Sequence, residues 1–170
     1  MIAPPQASEY NPYYSRYLAL VQGTDLTDVL DTQMGDSLQF LRGITEEKSL
    51  RRYEPGKWSI KEVLGHLIDA ERIFSYRALR FARNDQTPLP GFDQDPYVAA
   101  AGFDSRPWNG LVDEFEQVRR ATISFFRGLS PEAATRSGKA NDSVMSVRAA
   151  GYVIAGHELH HMHVLRDKYI

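Results

Sequence analysis

Four of the five histidines of this chain lie within seven residues, from His157 to His163, close to the end of the sequence. An α-helix turns about 100° per residue, so His157 and His161 would stand one turn apart on the apolar face of such a helix. Two imidazoles at this spacing can bind the same metal ion. The spacing therefore predicts a metal site in the last helix.

The fifth histidine, His66, has the same kind of setting in another predicted helix. Apolar residues surround it on one face, namely Val63, Leu67, Ala70, Ile73 and Phe74. A single histidine on such a face is usually a core residue bonded to a carbonyl group. Three buried imidazoles without partners would each cost about 1–3 kcal/mol, whereas a shared ion satisfies all of them. We expect His66, His157 and His161 to converge on one divalent metal ion.

Three further residues could support these ligands. His160 lies about 60° from His157 around the helix and could donate a hydrogen bond or act as a spare ligand. Asp69 follows His66 by nearly one turn, so its carboxylate could accept the imidazole N–H, although a surface position is equally consistent with the pattern. Arg77, about three turns beyond His66, could receive an anionic group of a substrate or pair with a carboxylate.

The segment from His157 to His161 also matches the zinc-peptidase pattern of two histidines with an intervening glutamate. Such peptidases need a third ligand, usually downstream, and only nine residues follow His161. A di-iron bundle needs two Glu-x-x-His pairs and two more glutamates, and Glu158 with His161 is one pair only. A three-histidine site instead leaves coordination positions open for water or substrate, as in catalytic sites. Glu158 is the candidate general base of such a site.

Hydrophobic periodicity predicts four long helices that would position these residues in an antiparallel bundle. They cover residues 25–42, 59–83, 107–128 and 146–163. Ser59 and Glu62 form a capping box at the start of the second long helix. Shorter helical pieces are expected at 13–22 and 97–103, and loops at 84–96 and 138–143. No segment shows the alternation that is typical of a strand.

Length and composition favour one globular domain over residues 1–170. A chain of this length can bury about two thirds of its unfolded surface. The net charge of −2 offers no basic surface for nucleic acid, and the absence of cysteine excludes thiolate ligands and disulfides. No apolar run approaches the length of a membrane span and no signal-peptide pattern begins the sequence, so we expect a cytoplasmic protein without a membrane partner.

Four stretches of the sequence resemble, in the same order, the DinB/YfiT-like superfamily of metalloproteins. They are Lys57–Glu71, Tyr76–Arg80, Pro88–Asp93 and Gly156–His161. The resemblance covers nearly the whole chain and implies an all-α, four-helix bundle of up-down-down-up topology with short accessory helices. It also implies that His66, His157 and His161 hold zinc, nickel or a similar ion, and that Phe92, Asp93 and Tyr97 form a wall of the pocket.

The same resemblance gives two expectations for the reaction on a small-molecule substrate. Characterised relatives are metal-dependent S-transferases or isomerases that use low-molecular-weight thiols such as bacillithiol, mycothiol or glutathione, and others are described as hydrolases. We therefore expect a thiol-dependent S-transferase acting on small electrophiles. The alternatives are a metal-dependent hydrolase of a small ester or amide and a non-catalytic, metal-binding stress protein. Aromatic residues such as Tyr13, Tyr14 and Trp108 leave a homodimer open, although each is equally suited to the core.

Overall fold

The chain folds into eight α-helices and one β-hairpin, and the computed structural model describes residues 1–170. The helices are α1 (Ser15–Leu18), α2 (Leu26–Arg42), α3 (Glu46–Ser49), α4 (Ile60–Ala82), α5 (Gln94–Ala101), α6 (Trp108–Arg127), α7 (Pro131–Thr135) and α8 (Val147–Val164). The hairpin pairs β1 (Ser137–Ala140) with β2 (Ser143–Ser146) in antiparallel register. Three short 3-10 turns and a final π-helical turn, Leu165–Tyr169, complete the chain. None of the helices is both long enough and apolar enough to cross a membrane.

The long helices α2, α4 and α8 begin where polar side chains can satisfy the free N–H groups of the first turn. Asp25, Ser59 and Ser146 each accept a hydrogen bond from a backbone N–H of the helix that follows. Glu62 also accepts a bond from the backbone N–H of Ser59, so the predicted capping box is confirmed. These local contacts explain why the predicted helix starts agree with the observed ones.

Helices α4 and α6 run parallel to each other. Near their starts, the Lys61 ammonium group donates to the carbonyl oxygen of Arg106, which precedes α6, at 2.6 Å. Further along both helices, the hydroxyl groups of Ser75 and Thr122 are 3.1 Å apart. Because the two contacts occur in the same order along α4 and α6, the two helices point the same way.

Helices α2 and α8 also run parallel, in the opposite direction to α4 and α6. Leu26, at the start of α2, packs against Gly151, near the start of α8, and Ser37 bonds to Glu158 further along both helices. The indole N–H of Trp108, which begins α6, donates to the carbonyl oxygen of Leu41 at the end of α2. The order is therefore up, down, down, up, and the predicted four-helix bundle is confirmed.

The apolar core forms two clusters at opposite ends of the bundle. One cluster joins the early parts of α2 and α8 to the late parts of α4 and α6. The other joins the late parts of α2 and α8 to the early parts of α4 and α6. Between the clusters, one buried polar residue interrupts each long helix. These residues are Ser37, Glu71, Arg119 and Glu158.

The short elements differ from the predicted ones. The β-hairpin was not predicted, because its strands are four residues each and rich in small residues; the signal was the Asn141-Asp142 turn, where both residues have positive φ angles of 50° and 58°. Helix α5 begins earlier than expected because Asp93 accepts the N–H of Asp95 and caps it. Helix α1 spans four residues rather than ten, after a 3-10 turn at Pro12–Tyr14.

Candidate metal centre

Three imidazoles from two helices converge in the bundle. Nε2 of His157 lies 3.1 Å from Nε2 of His66 and 3.1 Å from Nε2 of His161. One ring nitrogen from each of the three side chains lies within 4.8 Å of the other two. The structure therefore brings together the three histidines that the sequence singled out, although His66 and His157 are 91 residues apart in the chain.

The antiparallel packing of α4 and α8 produces this convergence. His66 is in the second turn of α4, and His157 and His161 are in the last turns of α8, so the two ends meet. Aromatic rings then limit the rotation of the imidazoles. The Trp58 ring centroid lies 5.0 Å from that of His66, and the Tyr17 ring stands edge-on to His157 at 5.3 Å. Neither aromatic residue was predicted as a neighbour of the site.

The three imidazoles are neutral at neutral pH, because burial disfavours their charged forms. Burial lowers the pKa of His66 to about 4. Burial and the adjacent His66 lower the pKa of His161 to about 3, and burial with three neighbouring histidines holds the pKa of His157 well below its ordinary value. A neutral imidazole has one unprotonated nitrogen, which is the form that binds metal ions.

The donor set fits a divalent metal ion. Metal–imidazole bonds of about 2.0–2.1 Å place two ligand nitrogens of a tetrahedral site about 3.4 Å apart. The two observed separations of 3.1 Å are close to this value. Three nitrogen ligands also leave at least one coordination position open. Imidazole donors alone, without thiolate or carboxylate, suit zinc and nickel among other ions.

The remaining predicted residues lie around this cluster with other partners. His160 is half-buried, and its ring packs against His161 and Tyr17, with centroids 5.1 Å and 5.4 Å away. Asp69 forms an ion pair with Arg72 at 3.8 Å and makes no hydrogen bond with His66. The structure therefore does not bring the Asp69 carboxylate to the imidazole that it was expected to orient.

Glu158, the candidate general base, is buried with both carboxylate oxygens engaged. Oε1 accepts a hydrogen bond from the Ser37 hydroxyl at 2.6 Å, and Oε2 accepts one from the Arg119 guanidinium. Arg119 also binds Glu71. Sequence reasoning missed Arg119 and Glu71, although Arg119 lies four residues from both Phe115 and Ile123 on the apolar face of α6. A charged residue at such a position was the signal that could have identified it.

A cavity of about 650 Å³ opens beside the imidazoles, with His66 and His157 in its lining. Its walls come from the N-terminal arm, α4, the segment around the start of α5 and the β-hairpin. The aromatic residues in these walls are Tyr13, Tyr14, Tyr17, Phe74 and Phe92. Of the predicted wall residues, Phe92 and Asp93 line the cavity, whereas Tyr97 is largely exposed and packs against Phe92 with ring centroids 5.5 Å apart.

Arg77 lies next to this cavity, under its aromatic wall. Its side chain is 3% exposed and donates a hydrogen bond to the carbonyl oxygen of Pro90 at 2.8 Å. The guanidinium carbon is 5.2 Å from the Phe74 ring centroid and 5.9 Å from that of Phe92. No carboxylate forms an ion pair with it, so the structure does not support the carboxylate partner that was one of its two expected roles.

Comparisons with known proteins agree with this architecture. The family model described as the DinB superfamily matches residues 30–165. A protein from Oceanobacillus iheyensis, named as a candidate metal-dependent hydrolase (OB0413), is 25% identical over 125 residues, which cover 72% of this chain and 70% of that protein. The structure of YfiT from Bacillus subtilis, described as a probable metal-dependent hydrolase with an unusual four-helix bundle topology, superposes with a TM-score of 0.69 at 16% identity. That match covers 95% of this chain and 91% of YfiT.

Proposed function

The chain belongs to the DinB superfamily, and from this membership and the convergent imidazoles we propose that it is a metal-dependent hydrolase of a small ester or amide. The observation that carries the proposal is the convergence of three imidazole nitrogens at a site whose His66 and His157 line a cavity of about 650 Å³. Cavities of this size hold small molecules. The descriptions of OB0413 as a candidate and of YfiT as a probable metal-dependent hydrolase support the same reaction class.

His66, His157 and His161 would hold the ion. A divalent ion supplies Lewis acidity and lowers the pKa of water at the site toward neutrality. The surrounding residues then perform the remaining tasks. Trp58 and Tyr17 restrict the imidazole rings, and the aromatic walls exclude bulk water from a bound substrate, which strengthens electrostatic interactions within the cavity.

Thiol-dependent S-transfer, the reaction expected first from the sequence, is the second candidate. The size of the cavity favours it, because about 650 Å³ leaves room for a small thiol and an electrophile together. Zinc and nickel are the ions we propose for either reaction, since the ligands are imidazoles only. Both reactions need an open position on the ion, which three protein ligands leave available.

Metal analysis of purified protein tests the proposed site. We expect near-stoichiometric divalent metal in the untagged parent protein. We expect less than about a tenth of this metal content in each of His66→Ala, His157→Ala and His161→Ala. Replacing a residue that supports a ligand typically lowers metal affinity about 10- to 100-fold, and loss of a ligand itself should lower it further. His163→Ala, at an exposed position of the same helix, is the matched control and should bind like the parent. Full metal content in the first three variants would refute the site.

Two assays on the metal-loaded protein separate the candidate reactions. In the first, a panel of small esters and amides is offered without thiol; metal-dependent hydrolysis supports the hydrolase. In the second, thiols are offered with electrophiles; thiol consumption that stops on metal removal supports the transferase. Stoichiometric metal with neither reaction would instead favour the non-catalytic, metal-binding protein.

A further inference from the structure

A layer of buried polar side chains crosses the bundle next to the histidine site. Each long helix contributes one residue, and each of these residues is at most 4% exposed: Ser37 from α2, Glu71 from α4, Arg119 from α6 and Glu158 from α8. Apolar clusters lie on both sides of the layer along all four helices. The layer therefore joins all four helices at one level of the bundle.

Arg119 is the centre of this layer. Its Nε donates to Oε1 of Glu71 at 2.9 Å, and its Nη2 donates to Oε2 of the same carboxylate at 2.8 Å, which makes a bidentate pair. Its Nη1 donates to Glu158, whose other oxygen accepts from Ser37. Burial opposes the charge on the guanidinium, but the two carboxylates together hold the pKa of Arg119 above its ordinary value.

Two carboxylates and one guanidinium leave one net negative charge in the interior. Buried ion pairs are costly to desolvate, and apolar residues of similar size are often as stable or more so. Helix packing alone therefore does not require this layer. A nearby cation would offset its negative charge.

The layer lies next to the imidazole of His157. Glu158 follows His157 in α8, and a cavity of about 10 Å³ has four polar lining residues, which are His157, Glu71, Arg119 and Glu158, beside five apolar ones. This volume is about that of one water molecule. The hydrogen-bond contacts of the His157 ring involve Nε2 only, toward the other two imidazoles. Histidines that bind metal usually donate their other ring N–H to a carboxylate, a carbonyl or a water molecule.

We propose that Glu71, Arg119 and Glu158 support the metal-binding His157 from behind. Arg119 is a positioning residue that fixes both carboxylates, and one water molecule in the small cavity carries the hydrogen bond from Nδ1 of His157 to them. The net negative charge of the group stabilises a divalent ion held by three neutral ligands. This inference rests on the proposed function, because it assumes that the three histidines bind a metal ion.

The test measures the dissociation constant for zinc by chelator competition and the visible absorption spectrum of the cobalt-substituted protein. Glu71→Gln and Glu158→Gln keep the size of each side chain but remove its charge. We expect each to weaken zinc binding by about 10- to 100-fold and to alter the cobalt spectrum. The cobalt spectrum of Arg119→Lys should stay closer to that of the parent than the spectrum of Arg119→Met, because lysine keeps a hydrogen-bond donor that can hold the carboxylates of Glu71 and Glu158 in place. Glu116→Gln, which alters an ion pair with the largely exposed Arg120, is the control and should bind zinc like the parent.

Thermal unfolding of the metal-free variants identifies effects on folding alone. If Arg119→Met does not fold, the two glutamine variants still decide the question. Unchanged zinc affinity and an unchanged cobalt spectrum in both folded glutamine variants would overturn the inference, even if their stability falls. Absence of metal binding in the parent would instead refute the proposed function, so the two failures are distinguishable. A structure at high resolution should show the water molecule bonded to His157.

Discussion

At the residue scale, Arg77 carries a buried positive charge without a carboxylate partner. The Arg77 guanidinium donates a hydrogen bond to the carbonyl oxygen of Pro90, and burial lowers the pKa of Arg77 although the neighbouring Tyr14 acts in the opposite direction. Burying a charge without a charged partner is costly. An anionic group on the substrate, bound between the aromatic walls, would offset this cost. We therefore propose that Arg77 favours anionic substrates.

Replacing Arg77 should change substrate preference. In metal-loaded Arg77→Met, we expect kcat/KM to fall about 10- to 100-fold for an ester that carries a carboxylate and by less than about 3-fold for a neutral ester of similar size, since a hydrogen bond to a charged group contributes about 1.5–3 kcal/mol. Arg80→Met, one turn further along α4, alters an ion pair with Asp85 and should affect neither ester. Equal losses for both esters in Arg77→Met would contradict the proposed preference.

At the element scale, the contact between α1 and α8 sets one wall of the site. Gly156 allows the backbone of α1 to approach α8, because a Cβ atom at this position would lie 2.2 Å from the carbonyl oxygen of Tyr17. The Tyr17 ring in turn stands edge-on to His157. The position of the short helix α1 therefore depends on the absence of a side chain at residue 156.

Gly156→Ala should destabilise the protein by about 1–3 kcal/mol, because the rigid backbone of α1 must move away. Gly35→Ala is the matched control in α2, where a Cβ atom would meet nothing within 4 Å. This exposed substitution should instead stabilise the protein by about 0.5–1 kcal/mol, since alanine favours the helix. Chemical denaturation of both variants and the parent measures these changes in the free energy of unfolding. If Gly156→Ala were as stable as the parent, the close approach of α1 would not constrain the wall.

At the scale of the whole molecule, the N-terminal arm closes onto the start of the last helix. The Glu9 carboxylate accepts hydrogen bonds from the Ser146 hydroxyl at 2.7 Å and from the Arg148 guanidinium. Burial alone would raise the pKa of Glu9, but the bonds from Arg148, Ser146 and the backbone N–H of Gln6 lower it to about 2. This contact holds the arm that contributes Tyr13 and Tyr14 to the cavity wall.

The Glu9 contact should make stability depend on pH. Because the pKa of Glu9 is lower in the folded state than its ordinary value of 4.5, the contact contributes fully above that value and is lost as the pH falls toward 2. We expect the parent to exceed Glu9→Gln by about 1.5–3 kcal/mol in unfolding free energy at pH 7, with the difference shrinking between pH 4.5 and 2. Glu132→Gln, at an exposed pair with Arg136, should show no such difference. A pH-independent gap for Glu9→Gln would contradict the assignment.

The long helices and the three site histidines could be predicted because their signals are local. Asp25, Ser59 and Ser146 cap helices whose apolar periodicity is evident in the chain, and a helix satisfies its own backbone within four residues. The β-hairpin was missed because neither strand alternates polar and apolar residues. Only the pairing of the two strands in the fold identifies them. The contacts of Glu158 could not be predicted for a similar reason, since its partner Arg119 lies 39 residues away.

The sequence by itself determined which residues could bind a metal ion and which helix faces would be buried. The direction of the helices came from the family resemblance, and only the tertiary structure showed the contacts that produce it. The fold alone decided that His66 meets His157, that Arg119 joins two carboxylates behind them and that Arg77 lies under the cavity wall. The physical reason is that helix periodicity is a property of neighbouring residues, whereas many arrangements of four amphipathic helices bury the same apolar faces.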